Sequence, residues 1–271
     1  MEEIKNYFSK KAKDYDLVEK QLYWKLSDKI LWEIFKKKIL LTFPKRFSFL
    51  DAGGGTGRWT KKILEEFPES IGVIYDFSEE MLSESKKKLE KFGKQVEIIK
   101  GDLEKIDCFQ EESFDLVFNF HNVLGFVHNE KKAFSEMAKV LKKDGILASI
   151  VPNLYHTIFF NLKLGEIDLA KKAFLTKRGK FIREMPEIGL FTPEKLRNLY
   201  LIHNFKEINI LGFPITIYPG YEETQIKDSS NGIKDILSNE NIFNEIYNIE
   251  INLISEENST RGNNLFVWGR K

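Results

Sequence analysis

The texture of the chain changes several times, and each change predicts an element. Between residues 3 and 42, Tyr7, Leu17, Leu22, Leu26, Ile30, Ile34 and Ile39 recur among lysines and acids. That is the pattern of one or two amphipathic helices. Pro44 closes the block. A short apolar run at 47–50 leads into Asp51-Ala52-Gly53-Gly54-Gly55-Thr56-Gly57, and a helical stretch over 58–67 ends at Pro68. The alternation continues with a strand at 71–75, a helix at 79–92 and a strand at 96–100. A strand at 114–119, a helix at 130–141 and a strand at 146–151 follow. Strands alternating with helices of ten or so residues predict a parallel sheet covered on both faces.

Beyond Asn153 the regularity weakens. Residues 155–173 read as one helix and 177–188 as a hairpin-like excursion around Arg178-Gly179. Thr192-Pro193-Glu194 is a helix start, with Thr as N-cap and Pro at the first position, and that helix runs to about Asn204. Two final strands are predicted at 205–213 and 265–269. The polar, Asn-rich stretch 227–255 between them reads as helical in part.

Composition narrows the field. The 271 residues are 42% hydrophobic and 31% charged, which fits one large folded α/β unit and excludes general disorder. Lys and Arg total 42 against 41 Asp and Glu, a net charge of +1, so nucleic acid is not expected as a general partner. One cysteine, Cys108, leaves no internal disulfide and no multi-thiolate zinc site, and the four histidines show no compact metal-ligand spacing, so no metal is expected. The N-terminus lacks a secretory pattern and no apolar run reaches a membrane-spanning length. A cytoplasmic protein without a membrane span is expected.

The glycine turn carries the chemistry. A phosphate-binding loop would need a Lys that no register supplies, and a dinucleotide fingerprint fails because its sixth place falls on Arg58 or Thr60. What remains is Asp-x-Gly-x-Gly-x-Gly between a strand and a helix. Its glycines permit positive φ and close approach of a ligand. Helix-start amides can meet a carboxylate, while Asp51 suits an ammonium group, so the turn fits an amino acid. Asp76 ends the next strand about twenty residues on, where an acid can hold ribose hydroxyls. Asp102 ends the third, where it can accept from an adenine amino group, with Phe77 and Met81 as walls. An amino acid, a ribose and an adenine together describe S-adenosylmethionine.

The runs FLDAGGGTGRWT, IYDFSEEML, KGDLEKI, FDLVFNFHNVLGFV and LKKDGILASIVPN, in that order, resemble the class I S-adenosylmethionine-dependent methyltransferases. The likeness is to the small-molecule branch that includes ubiquinone- and sugar-methylating enzymes. It implies a doubly wound, mostly parallel seven-stranded α/β sheet of order 3-2-1-4-5-7-6, its last strand antiparallel, with a helical cap. Residues 1–46 would form the cap and 47–271 the methyltransferase domain, with 153–191 and 221–258 as insertions forming a substrate lid. It implies that Asp51, Gly53 and Gly55 line the methionine end of the cofactor and that Asp76 holds the ribose. Phe77 and Met81 would flank adenine, Asp102 would face its amino group, and Leu103 would supply a backbone amide. Asn119 and His121 would sit beside the sulfonium and the acceptor, with His121 as candidate base, and Tyr15 would fold over the cofactor. Tyr23, Trp24, Trp32, Tyr155, Phe159, Phe160 and Phe174 are candidates to roof an apolar pocket.

The expected reaction is transfer of a methyl group from S-adenosylmethionine to an O-, N- or C-nucleophile of a small molecule by a monomer or homodimer, leaving S-adenosylhomocysteine. A protein or peptide acceptor, or cofactor binding without transfer, are the alternatives.

Overall fold

A computed structural model describes residues 2–181, 185–219 and 232–271. Seven strands form one sheet: β1 Ser48–Ala52, β2 Ile71–Asp76, β3 Val96–Lys100, β4 Phe114–Asn119, β5 Leu141–Pro152, β6 Lys206–Phe213 and β7 Asn264–Arg270. Their order is 3-2-1-4-5-7-6, the order expected from the family likeness. The pairings among β1 to β5 are parallel, while β7 runs antiparallel to both β5 and β6.

The two-residue period of the strands sorts the core. Leu50, Val117, Leu147, Val151, Leu265 and Val267 point to one face and meet helices α6 (Glu130–Val140) and α9 (Pro193–Leu201). Phe49, Leu116, Phe118, Ile146, Ala148 and Phe266 point to the other, under α2 (Leu22–Lys38) and α3 (Arg58–Glu66). Both faces are apolar because both are covered. Helix α2 places Tyr23, Leu26, Ile30 and Phe35 in this second core. The preceding helix α1 (Glu2–Lys11) buries none of its own residues and lies against α4 (Glu79–Leu89).

Several boundaries differ from the sequence reading for identifiable reasons. Strand β5 starts at Leu141 and absorbs the Lys143-Asp144-Gly145 turn, with a register shift against β4 and Asp144 at φ +62°. The expected helix over 155–173 is two, α7 (Leu154–Lys163) and α8 (Ile167–Thr176), broken at Gly165, whose φ is +76°. A short helix α5 (Val123–Phe126), too brief to show a hydrophobic period, follows β4. In the 177–188 excursion, Arg178–Gly179 pairs with Ile188–Gly189, and residues 182–184 lie outside the described part. Thr192 caps α9 as expected, accepting from the Lys195 amide. The expected insertion over 221–258 lies outside the described residues up to 231; beyond it, α10 (Gly232–Ser238) and α11 (Glu240–Leu253) precede β7. Among the described residues no helix is long and apolar enough to cross a membrane, and no group of His, Cys, Asp and Glu could hold a metal ion.

Candidate functional site

The carboxyl ends of β1, β2 and β4 open into a cavity. It sits at the reversal point of the strand order, where ligands of open α/β sheets bind. The glycine turn forms its floor. Gly53, Gly55 and Gly57 have φ of +79°, +52° and +75°. A Cβ on Gly53 would come within 2.5 Å of Val123, and one on Gly54 within 2.6 Å of the Asp51 carboxyl carbon. A Cβ on Gly55 would meet only the Met81 sulfur, at 3.9 Å, so the backbone there stays open to a ligand.

Two acids frame the floor. Asp51 is buried at the end of β1 and accepts a 2.7 Å bond from the Thr60 hydroxyl. Burial raises its carboxyl to about 7; the Thr60 bond opposes that rise and the nearby Asp76 adds to it. Asp76, buried at the end of β2, accepts from the Gly55 amide at 2.9 Å through Oδ2 and from the Ser78 amide at 2.9 Å through Oδ1. Burial raises it as well, against those backbone bonds. Ser78 caps α4 through the Met81 amide, which sets Met81 and Phe77 on the cavity wall. Asp102 and Leu103 line the cavity too, Asp102 exposed and bonded to the Glu104 amide at 2.8 Å.

The N-terminal segment supplies the roof. Ile4, Phe8 and Tyr15 line the cavity, and Phe8 packs edge-on against Phe126 of α5 with ring centres 5.0 Å apart. Ser9 donates to Glu80 at 2.7 Å, Thr56 of the glycine turn donates to Asp16 at 2.7 Å, and Lys88 pairs with Asp16. Burial raises the Tyr15 phenol to about 12, so it stays protonated.

A second cavity adjoins the first. Phe8, Tyr15, Arg58, His121 and Phe126 line both. Its remaining walls include Tyr7, Trp24, Phe160, Phe181 and Met185, with Asp28, Asn122 and His156 as polar members. Arg58, absent from the expected site residues, is buried at the junction; it pairs with Asp28 at 2.8 Å and Glu19 at 3.5 Å. Its only sequence signal is its place directly after the glycine turn, ahead of Trp59.

Two expected members sit differently from the expectation. Asn119 is not among the cavity-lining residues. It shares the parity of Val117 on β4, so its amide points into the α6 side of the sheet, donating to Ser149 at 2.7 Å and to the Met137 sulfur at 3.5 Å. His121 does line both cavities, with φ at +55°, but its Nε2 accepts from the Trp59 indole at 2.7 Å and faces Arg58 Nη2 at 3.0 Å. Those donors occupy the Nε2 lone pair and put the ring proton on Nδ1. Burial and the Arg58 charge lower its pKa well below the usual imidazole value, which makes it a poor base. Of the candidate roof aromatics, Trp24 and Phe160 line the second cavity; Tyr23 is in the core, Trp32 packs on Trp59, and Tyr155, Phe159 and Phe174 are exposed.

With this geometry in place, three comparisons bear on it. The model of a family described as "Methyltransferase domain" matches residues 49–145, from β1 into the start of β5. An uncharacterised protein of Methanocaldococcus jannaschii is 31% identical over 208 residues, 76% of this chain and 72% of its own. The tRNA 5-carboxymethoxyuridine methyltransferase of Escherichia coli is 25% identical over 176 residues; the match spans 62% of this chain and 66% of that protein's length. Among solved structures, an S-adenosylmethionine-dependent methyltransferase of Thermotoga maritima shares the fold with a TM-score of 0.58 at 18% identity, over 97% of this chain and 98% of that one.

Proposed function

Because the chain belongs to the class I S-adenosylmethionine-dependent methyltransferases, we propose that the glycine-floored cavity binds S-adenosylmethionine and that the adjoining cavity presents the acceptor to it. The carrying observation is the contiguity of the two cavities at Arg58, Tyr15 and His121. Asp51 and the backbone of Gly53 and Gly55 would meet the methionine end, Asp76 the ribose, and Phe77, Met81, Asp102 and Leu103 the adenine. Two buried acids and a glycine cradle suit a ligand that carries an ammonium group and a diol. The bound cofactor supplies a methyl group on a good leaving group. The chain's part is then to align the acceptor in line with it and to keep water out, the N-terminal roof serving the second task.

The acceptor is a small molecule, or the reactive end of one carried on a larger body, as the name of the Escherichia coli relative describes for transfer RNA. Free small acceptors that turn over would favour the first. Calorimetry with S-adenosylhomocysteine tests the cofactor assignment. Micromolar binding that weakens at least about a hundredfold in Asp76→Ala is expected, since two hydroxyl bonds to a buried carboxylate are lost. Equal binding by both proteins would remove Asp76 from the site.

A further inference from the structure

We propose that the acceptor carries a carboxylate, held by Arg58 at the junction of the two cavities, and that a carboxylate oxygen is the atom methylated. This rests on the cofactor reading above. Among the described residues eight buried side-chain polar atoms lack a hydrogen-bond partner, and three of them, Arg58 Nη1, Asn122 Oδ1 and His156 Nε2, belong to residues lining the second cavity. Buried polar groups are ordinarily partnered, so this clustering marks where a ligand's polar atoms belong. The Arg58 side chain is only 6% exposed. Its Nε and Nη2 face Glu19, Asp28 and His121, and Nη1 is the donor left over. A guanidinium donor in a buried, aromatic-walled site selects an anionic oxygen. The protonated Tyr15 phenol, which lines the same junction, can donate as well.

Other acceptor classes fit the junction less well. An amine entering there meets the Arg58 charge, while Asp28, a half-buried acid lining this cavity, is already engaged by that arginine. An alcohol, phenol or amine must also shed a proton; the His121 lone pair is occupied by Trp59 and Arg58, and burial lowers His156 of the second cavity to about 4, which makes it a poor base. A carboxylate needs no base. One of its oxygens forms the new O–CH3 bond as the S–CH3 bond breaks, the electron pair of that bond stays on sulfur, and the anionic and cationic charges cancel to give an ester and a thioether with no proton to place.

The test is calorimetric titration of the S-adenosylhomocysteine-loaded protein with three matched probes, phenylacetate, 2-phenylethanol and 2-phenylethylamine. Phenylacetate is expected to bind at least tenfold more tightly than the other two. Arg58→Gln is expected to abolish that preference while S-adenosylhomocysteine affinity stays within a few-fold, and Arg58→Lys, which keeps the charge and guards against a folding defect, is expected to retain part of it. In parallel, label from methyl-tritiated S-adenosylmethionine should appear in product that releases methanol in mild base. No carboxylate preference in the wild type, or a preference unchanged in Arg58→Gln, overturns the proposal. So does a loss of S-adenosylhomocysteine binding confined to the Arg58 variants, which would assign Nη1 to the cofactor's own carboxylate. Failure of the wild type to bind S-adenosylhomocysteine at all would instead remove the cofactor reading.

Discussion

The protonation state of Asp51 depends strongly on its surroundings. Its carboxyl sits at about 7 in the folded protein because burial penalises the anion, against roughly 3.9 in an open chain. The fold therefore binds more protons than the unfolded chain between those values, and this group's contribution to stability falls as pH rises from about 4 through 7. Asp51→Asn should flatten that part of the stability–pH curve, as read by denaturant midpoints at pH 5 and pH 8. A ligand ammonium at Asp51 would favour the anion, so binding near pH 7 should release about half a proton. Calorimetry of S-adenosylhomocysteine in phosphate and in Tris should show a buffer-dependent enthalpy that shrinks in Asp51→Asn. A wild-type enthalpy that is the same in both buffers would mean that no ligand charge reaches this carboxyl.

At the scale of the element, the glycine turn shows how much a single backbone feature can carry. Gly53→Ala would place a Cβ 2.5 Å from the stiff Val123 side chain at a φ of +79°. A cost of about 3 kcal/mol in stability is expected, with loss of S-adenosylhomocysteine binding. Gly165 has a similar φ, +76°, but nothing within 4 Å of the added Cβ. Gly165→Ala should cost about 1 kcal/mol and leave binding unchanged. Thermal melts with and without ligand check both, and equal costs would mean that the Val123 contact is relieved by repacking.

This turn was legible in the sequence because only a ligand-bearing strand–turn–helix explains its glycines. Strands β3 and β4 were legible to the residue because alternating apolar runs end there at polar breaks. Asn119 was not, since its place depends on side-chain parity within a strand buried on both faces, where every position looks alike. His121 was placed at the site, but its protonation depends on two donors, Trp59 and Arg58, brought to it from a different element. The roles of Arg58 and His156 are hidden in the sequence for the same reason. A buried cation and an unpartnered ring nitrogen are recognised only once their neighbours are known.

The whole molecule is a sheet with two buried faces and one working edge. The large cores hold β1 and β2 rigidly enough that Asp51 and Asp76 meet the glycine turn at fixed distances. The roof is built from a segment whose helix α1 buries nothing of its own. That segment is fastened instead by the Ser9–Glu80, Thr56–Asp16 and Lys88–Asp16 contacts and by Phe8 against Phe126. Helix α7 contributes differently on its two sides: His156 and Phe160 line the second cavity, while Tyr155, Phe159 and Leu162 are exposed. The class I methyltransferase assignment fixes the cofactor, and the second cavity is the proposed place of the acceptor. The most direct measurement is a crystal structure of the protein grown with S-adenosylhomocysteine. Density is expected in the first cavity, with the ammonium against Asp51, the ribose hydroxyls on Asp76 and the sulfur facing Arg58 and Tyr15 at the opening to the second. Density for the ligand anywhere else, or a sulfur pointing away from that junction, would contradict the proposed division of the two cavities.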